Sequence, residues 1–204
     1  MMLPTHVLAG MALALPLWAV SPEYAPVGFA AGFLGGLLPD VDLYVGHRRT
    51  LHYPVYYSVL AAAAILVALA MPSTATVALA LFLAGAALHS VSDVLGAGLE
   101  LRPWEGNSDR AVYDHYHGTW IRPRRLVRYD GAPGDLLLSG LLAVPLYLVL
   151  DGWLRWLVVG TVGVALSYTL LRRPLAVLAP RVARLLPEPV QAYVPDRYRE
   201  DNGV

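Results

Sequence analysis

The stretch that decides this chain is Gly36-Leu37-Leu38-Pro39-Asp40-Val41-Asp42-Leu43-Tyr44-Val45-Gly46-His47-Arg48-Arg49-Thr50-Leu51-His52. An apolar, glycine-rich helical segment runs into Pro39, which disfavours helical geometry at Leu38 and turns the chain. Two carboxylates, Asp40 and Asp42, and two imidazoles, His47 and His52, follow directly. Charge at the end of so apolar a segment is expensive unless it is solvated, paired or bound to a metal. Two close carboxylates also repel each other unless something cationic lies between them.

Composition sets the class. Of 204 residues, 57% are hydrophobic and 15% charged, and the mean hydropathy is +0.52, well to the membrane side of soluble averages. The chain has no cysteine, which excludes disulfides and thiolate metal sites. Any metal must be held by His, Asp or Glu. The 15 basic residues are all Arg and the formal net charge is zero, so nothing in the global charge points to nucleic acid.

Six apolar segments can be drawn, at Thr5–Val20, Ala25–Leu38, Pro54–Met71, Ser73–Leu95, Asp135–Leu150 and Trp153–Leu171. The expected fold is therefore an all-α, polytopic membrane helix bundle. The second segment is short and carries small residues at the four-residue spacing (Gly28, Gly32, Gly36) that lets helices approach closely. Beyond Pro174, Leu175, Leu178, Val182, Leu185 and Leu186 keep helical spacing opposite Arg181 and Arg184, which predicts a short helix lying on the membrane surface. The domain expectation is a membrane-embedded part over 1–173 with a long loop at 96–134, then the interfacial helix and an irregular tail with Pro187, Pro189 and Pro195 over 174–204. If all six segments cross, Arg48, Arg49, the six loop arginines from Arg102 to Arg128, and Arg172, Arg173, Arg181, Arg184, Arg197 and Arg199 share one side, leaving only Arg155 on the other. The positive-inside rule makes that side, and both termini, cytoplasmic. The apolar N-terminus lacks the positive n-region of a signal peptide and is read as a membrane helix.

On this topology His6, Asp40, Asp42, His47, His52, His89 and Asp93 reach one membrane face from four segments. His89 and Asp93, four apart, share a helix face. Such a ligand set suits a divalent ion, zinc or manganese before calcium, and its number suits two ions sharing carboxylates. Arg48 is placed to hold a substrate oxyanion, and Asp42 or Asp93 could act as general base where it is not a ligand. Asp114-His115-Tyr116-His117 is a second, weaker cluster. Alternation puts His115 and His117 on one face of an extended segment, as accessory ligands or substrate contacts; an interfacial His/Tyr loop is the simpler explanation of them.

These residues resemble the pattern of the inner-membrane-associated metal-dependent hydrolases of the YdjM-like family, also labelled LexA-binding. That pattern has a His near the N-terminus, Pro-Asp-x-Asp after a glycine-rich helix, His-Arg with a second His five residues after the first, and a later His-x-x-x-Asp. Here it reads His6, Pro39-Asp40-Val41-Asp42, His47-Arg48 with His52, and His89-Ser90-Val91-Ser92-Asp93, spanning roughly residues 5–96. Arg49 and Leu51-His52-Tyr53 depart from the family's Gly and Thr-His-Ser, placing bulkier side chains near the ligands. The resemblance implies a metal-dependent hydrolase.

The leading expectation is a hydrolase at the cytoplasmic interface of the cell (inner) membrane, working on a phosphoester or lipid head group. Its partners would be the lipid bilayer and a small-molecule or lipid substrate; the sequence names no protein partner. A non-catalytic, metal-stabilised scaffold and a divalent-ion transporter stand as alternatives, the second weakened by ligands clustering at one face rather than mid-membrane. Topology is testable directly. Reporter fusions at the C-terminus and in the Met71–Thr74 turn should give opposite readings, and matching ones would overturn the shared-face arrangement.

Overall fold

A computed structural model of the chain describes residues 1–194 and Tyr198, the side chain of Tyr44 aside. It is mostly helical. In chain order come α1 (Leu3–Ala12), α2 (Leu15–Val20), α3 (Ala25–Leu37), a 3₁₀ turn (Leu38–Tyr44), α4 (Pro54–Ala70), α5 (Thr74–Ser92) with a 3₁₀ extension (Asp93–Leu95), strands β1 (Val112–Asp114) and β2 (Thr119–Ile121), α6 (Pro133–Val149), α7 (Gly152–Leu185) and α8 (Glu188–Gln191). Three stretches are long and apolar enough to cross a membrane: Leu3–Val20, Thr74–Leu95 and Gly152–Leu185. The 17-residue Pro54–Ala70 and Pro133–Val149 are shorter apolar helices.

Local sequence sets most of the helix starts. Proline stands in the first turn of α1, α3, α4 and α6, where its fixed φ suits the helix and its missing N–H costs nothing. At α5 the Ser73 hydroxyl accepts from the Thr76 amide at 3.2 Å while Thr76 Oγ1 accepts from the Ser73 amide at 3.0 Å. This reciprocal cap explains the abrupt turn from α4 to α5.

The packing is built on α3. It lies against α1 on one side and α5 on the other, and glycine lets both come close. A Cβ on Gly35 would stand 2.0 Å from the Phe82 carbonyl oxygen of α5, and one on Gly36 would stand 2.5 Å from the His6 carbonyl oxygen of α1. On the far side Leu8, Met11, Phe29, Leu146, Leu154 and Val158 form the largest buried apolar cluster and join α6 and α7 to the group. Buried Asp135 fastens α6 to α1 by accepting from Thr5 Oγ1 at 2.6 Å and the Met2 amide at 2.8 Å. The packing brings the N-terminal ends of α1 and α4 and the C-terminal ends of α3 and α5 to one end of the bundle.

Four expectations need correction. The first apolar segment is two helices, parted at Leu13–Ala14 just ahead of Pro16. The helix expected to begin beyond Pro174 is instead the continuation of α7, which runs through Pro174 and Pro180 to Leu185. Proline's φ is helical, so a helix already formed can absorb the lost hydrogen bond, and Ala176, Pro180 and Ala183 are buried along this extension. The 96–134 loop holds a small antiparallel hairpin, with Val112 opposite Ile121 and Tyr113 opposite Trp120, so the chain is not purely α. The tail carries one helical turn, α8, around Pro189; Pro195, Arg197 and Arg199 lie outside the described residues.

Replacing Gly35 by Ala should lower the apparent melting temperature, since overpacking against backbone costs about 1–3 kcal/mol or more. Gly140→Ala in α6, where a Cβ meets nothing within 4 Å, should leave stability unchanged or raise it by up to about 1 kcal/mol. Equal melting shifts for the two variants would contradict the close α3–α5 approach.

Candidate metal centre

At the shared end of the bundle one ligand atom each from Asp40, His52, His89 and Asp93 lies within 4.8 Å of the others. His52, His89 and Asp93 are buried and Asp40 is half-buried. His89 Nε2 stands 3.4 Å from Asp40 Oδ1 and 3.7 Å from Asp93 Oδ2; His52 Nε2 stands 3.7 Å and 3.4 Å from the same two oxygens. Four donors around a tetrahedral ion with bonds near 2.0–2.1 Å would be about 3.3 Å apart. These four spacings are too long for good hydrogen bonds and close to that donor–donor separation, while the set as a whole spreads to 4.8 Å.

The imidazoles are set with their lone pairs inward. His89 Nδ1–H donates to the Gly36 carbonyl at 2.6 Å, and His52 Nδ1–H donates to Asp42 Oδ2 at 3.0 Å. Each Nδ1 partner fixes the tautomer and leaves Nε2 as the acceptor, the arrangement usual for metal-bound His. Both Nε2 atoms are buried and have no hydrogen-bond partner among the described residues. Buried polar atoms in native proteins are seldom left so. The cluster could hold a metal ion, and these two orphaned acceptors are the observation that fits one.

The other candidates surround the four. Asp42 accepts from His47 Nδ1, His52 Nδ1 and the amides of Leu51 and Arg48 at 3.0–3.3 Å, so both its oxygens are engaged behind the cluster. Burial pushes the Asp42 carboxyl up, but the hydrogen bonds from His47 and His52 outweigh it and hold the group below the usual carboxylate range. His47, joined to Asp42, lies 3.9 Å from Asp40 Oδ1. His6 is stacked on His89 with ring centroids 3.7 Å apart; its Nε2 lies 3.0 Å from Asp93 Oδ1, and its Nδ1 accepts from Ser92 Oγ at 3.3 Å. Arg48 is buried, with Nε 3.1 Å from Asp93 Oδ2 and Nη1 donating to the Ala97 carbonyl at 2.7 Å. It therefore neutralises a cluster carboxylate and ties the long loop to the site. Arg48 has φ 59°, a conformation that costs a non-glycine residue on the order of 1–3 kcal/mol. Its amide on Asp42 and its carbonyl on the Tyr113 amide hold it there.

His115 and His117 do not share a strand face. They occupy the turn between β1 and β2, where Nε2 of His115 donates to the Arg49 carbonyl and His117 pairs with Asp114. Neither is in the converging group.

A cavity of about 1010 Å³ opens beside the cluster, with Asp40, His47 and Arg48 in its wall. Its polar end continues into Glu100, Asp130 and Arg172, and its length follows α7. Sequence reading missed that wall. Asp130 accepts from Tyr168 and from Arg172 Nε, the latter at 2.8 Å, and Arg173 lies over the Trp104 and Tyr129 rings. In the sequence Arg172 and Arg173 are only topology signals, because no local spacing links Asp130 to Arg172, 42 residues later. Comparison with known proteins finds no matching family profile, no matching curated protein and no matching solved structure.

His89→Ala or His52→Ala should abolish tight uptake of zinc or manganese by the purified protein, read by elemental analysis and thermal shift. Asp42→Asn should weaken it about 10–100-fold, as loss of a group that orients a ligand does, and His115→Ala should leave it unchanged. A chelator should lower the wild-type melting temperature, since an ion at about 100 times its Kd stabilises by about 2.7 kcal/mol. Wild type that neither carries nor responds to divalent ions would overturn the metal centre.

Proposed function

We propose that this protein is a membrane-bound, metal-dependent hydrolase of amphipathic phosphoesters, acting at the cytoplasmic face of the inner membrane. The observation that carries the reading is the pair of partnerless, buried His52 and His89 Nε2 atoms facing Asp40 and Asp93 at the edge of the cavity. A pure scaffold needs only a closed cage, whereas here a donor residue is also cavity wall. A transporter needs a route past the ligands, and the cluster sits at the ends of four helices instead.

Asp40, His52, His89 and Asp93 would hold zinc or manganese, and the tight grouping suits one ion more readily than two. When bound, such an ion supplies Lewis-acid chemistry at neutral pH. The rest falls to the chain. Asp42 orients His52 and His47, Arg48 offsets the charge of Asp93, and His6, backed by Ser92 on its Nδ1, holds the other oxygen of that carboxylate. Arg48 and His47 also face the cavity, where they would meet an anionic group. The length of the cavity along α7 favours a substrate with an apolar chain. Six membrane passes, cytoplasmic termini and the YdjM-like resemblance complete the proposal; the Arg distribution and the residue pattern support them.

The test is turnover per bound metal on a panel of phospholipid and lipid-phosphate esters, carboxylic esters and amides. Phosphoester hydrolysis is expected from wild type and not from His89→Ala. Arg48→Ala, assayed at saturating metal, should lose about 10²–10³-fold, as when one transition-state charge contact is removed; unchanged turnover would reduce Arg48 to a loop tie. Metal-replete wild type that hydrolyses nothing on the panel would return the chain to the scaffold reading.

A further inference from the structure

Glu100 is an unexplained charge. It lines the polar end of the cavity, and both its carboxylate oxygens are shielded from solvent and without a hydrogen-bond partner among the described residues. It lies between two fastened points of the loop: Ala97, whose carbonyl accepts from Arg48, and Leu101, whose carbonyl accepts from Arg172 at 3.1 Å. Neither guanidinium is free for Glu100, because Arg48 pairs with Asp93 and Arg172 with Asp130. Glu100 is thus a carboxylate without a cationic partner among the described residues, at the head of an otherwise apolar cavity walled by Val7, Phe33, Leu157 and Val164. A buried carboxylate with no donor is costly, and the described residues offer it none.

We propose that the cavity binds a zwitterionic amphipath, with its apolar chain along α7 and an ammonium group on Glu100, as in the aminophospholipid class. An anionic head without an ammonium would set a second negative charge against Glu100, and a hydroxyl head would leave the carboxylate uncompensated. A zwitterion puts its cation on Glu100 and keeps its phosphate for Arg48 and His47 in the same wall. That the bound molecule is also the substrate rests on the hydrolase reading; the binding itself does not.

The experiment is therefore a binding measurement on chelator-treated full-length protein, which cannot turn over. The protein is reconstituted in vesicles of equimolar phosphatidylethanolamine and phosphatidylglycerol with identical acyl chains, and retained lipid is read by native mass spectrometry. Wild type should retain phosphatidylethanolamine over phosphatidylglycerol by at least about tenfold, the scale of a desolvated charge pair. Glu100→Gln should bring that ratio near one, and Val164→Trp, which fills the cavity, should lose both lipids. Wild type should also reject N-acetylated phosphatidylethanolamine, a comparison that needs no variant to fold. Equal retention of the two lipids by wild type, an unchanged ratio in Glu100→Gln, retention of phosphatidylethanolamine by Val164→Trp, or indifference to N-acetylation would each overturn the proposal. Lipid selectivity without hydrolysis would sink the hydrolase reading alone; hydrolysis without Glu100-dependent selectivity would sink this one alone.

Discussion

The closeness of α3 to α1 and α5 is the constraint on which the rest depends. Helix backbones at ordinary separation are held apart by their side chains, and here glycine removes that spacer where the helices end. At Gly36 the same backbone serves twice: its missing side chain admits the His6 carbonyl, and its own carbonyl receives the His89 imidazole. With a larger residue there, His6 and His89 could not stack and His89 would lose the bond that aims Nε2 at the cluster. In a membrane, where helices gain little from burying apolar surface against each other, such contacts are a main source of association.

Around that contact the charges organise themselves in pairs. Asp93 faces Arg48 and the two cluster imidazoles with one oxygen and His6 with the other. Asp42 is surrounded by four donors. Buried ions are tolerated when geometry is good and remaining valences are filled, and nearly every group here meets that condition. Among the described residues the Nε2 atoms of His52 and His89, Arg48 Nε and the carboxylate of Glu100 lack a hydrogen bond at the cluster or the polar end of the cavity, and Ser90 Oγ, Arg125 Nε and Thr169 Oγ1 lack one elsewhere. The first group lies where an ion and a ligand would enter.

The long loop owes its course to the same pairs. Arg48 draws Ala97 in and accepts the Tyr113 amide, which seats the hairpin over the site. Asp130 and its Arg172 and Tyr168 partners fasten the loop's end to α7. The cavity lies between these two fastenings, so its head-group end is built from loop and helix together while its length is helix alone.

Composition and period by themselves determined the helical class and the approximate helix limits, because apolar runs, first-turn prolines and the Ser73–Thr76 cap are local signals. The spacing of His89 and Asp93 and the Pro-Asp-x-Asp turn likewise marked the residues that come together, since a helix repeat and a proline turn fix directions within a few residues. Local signals could not divide the labour among seven candidates. Only the tertiary structure turned Asp42 outward to four donors, engaged both nitrogens of His6, and left the Nε2 atoms of His52 and His89 pointing inward. Those outcomes depend on where separate helix ends meet. The same holds for Pro174: its local rule predicts a stop, yet α7 continues because the residues beyond it find buried positions. Glu100 carried no signal at all in the sequence, for what distinguishes it is the lack of a partner, and that exists only once every neighbour is in place.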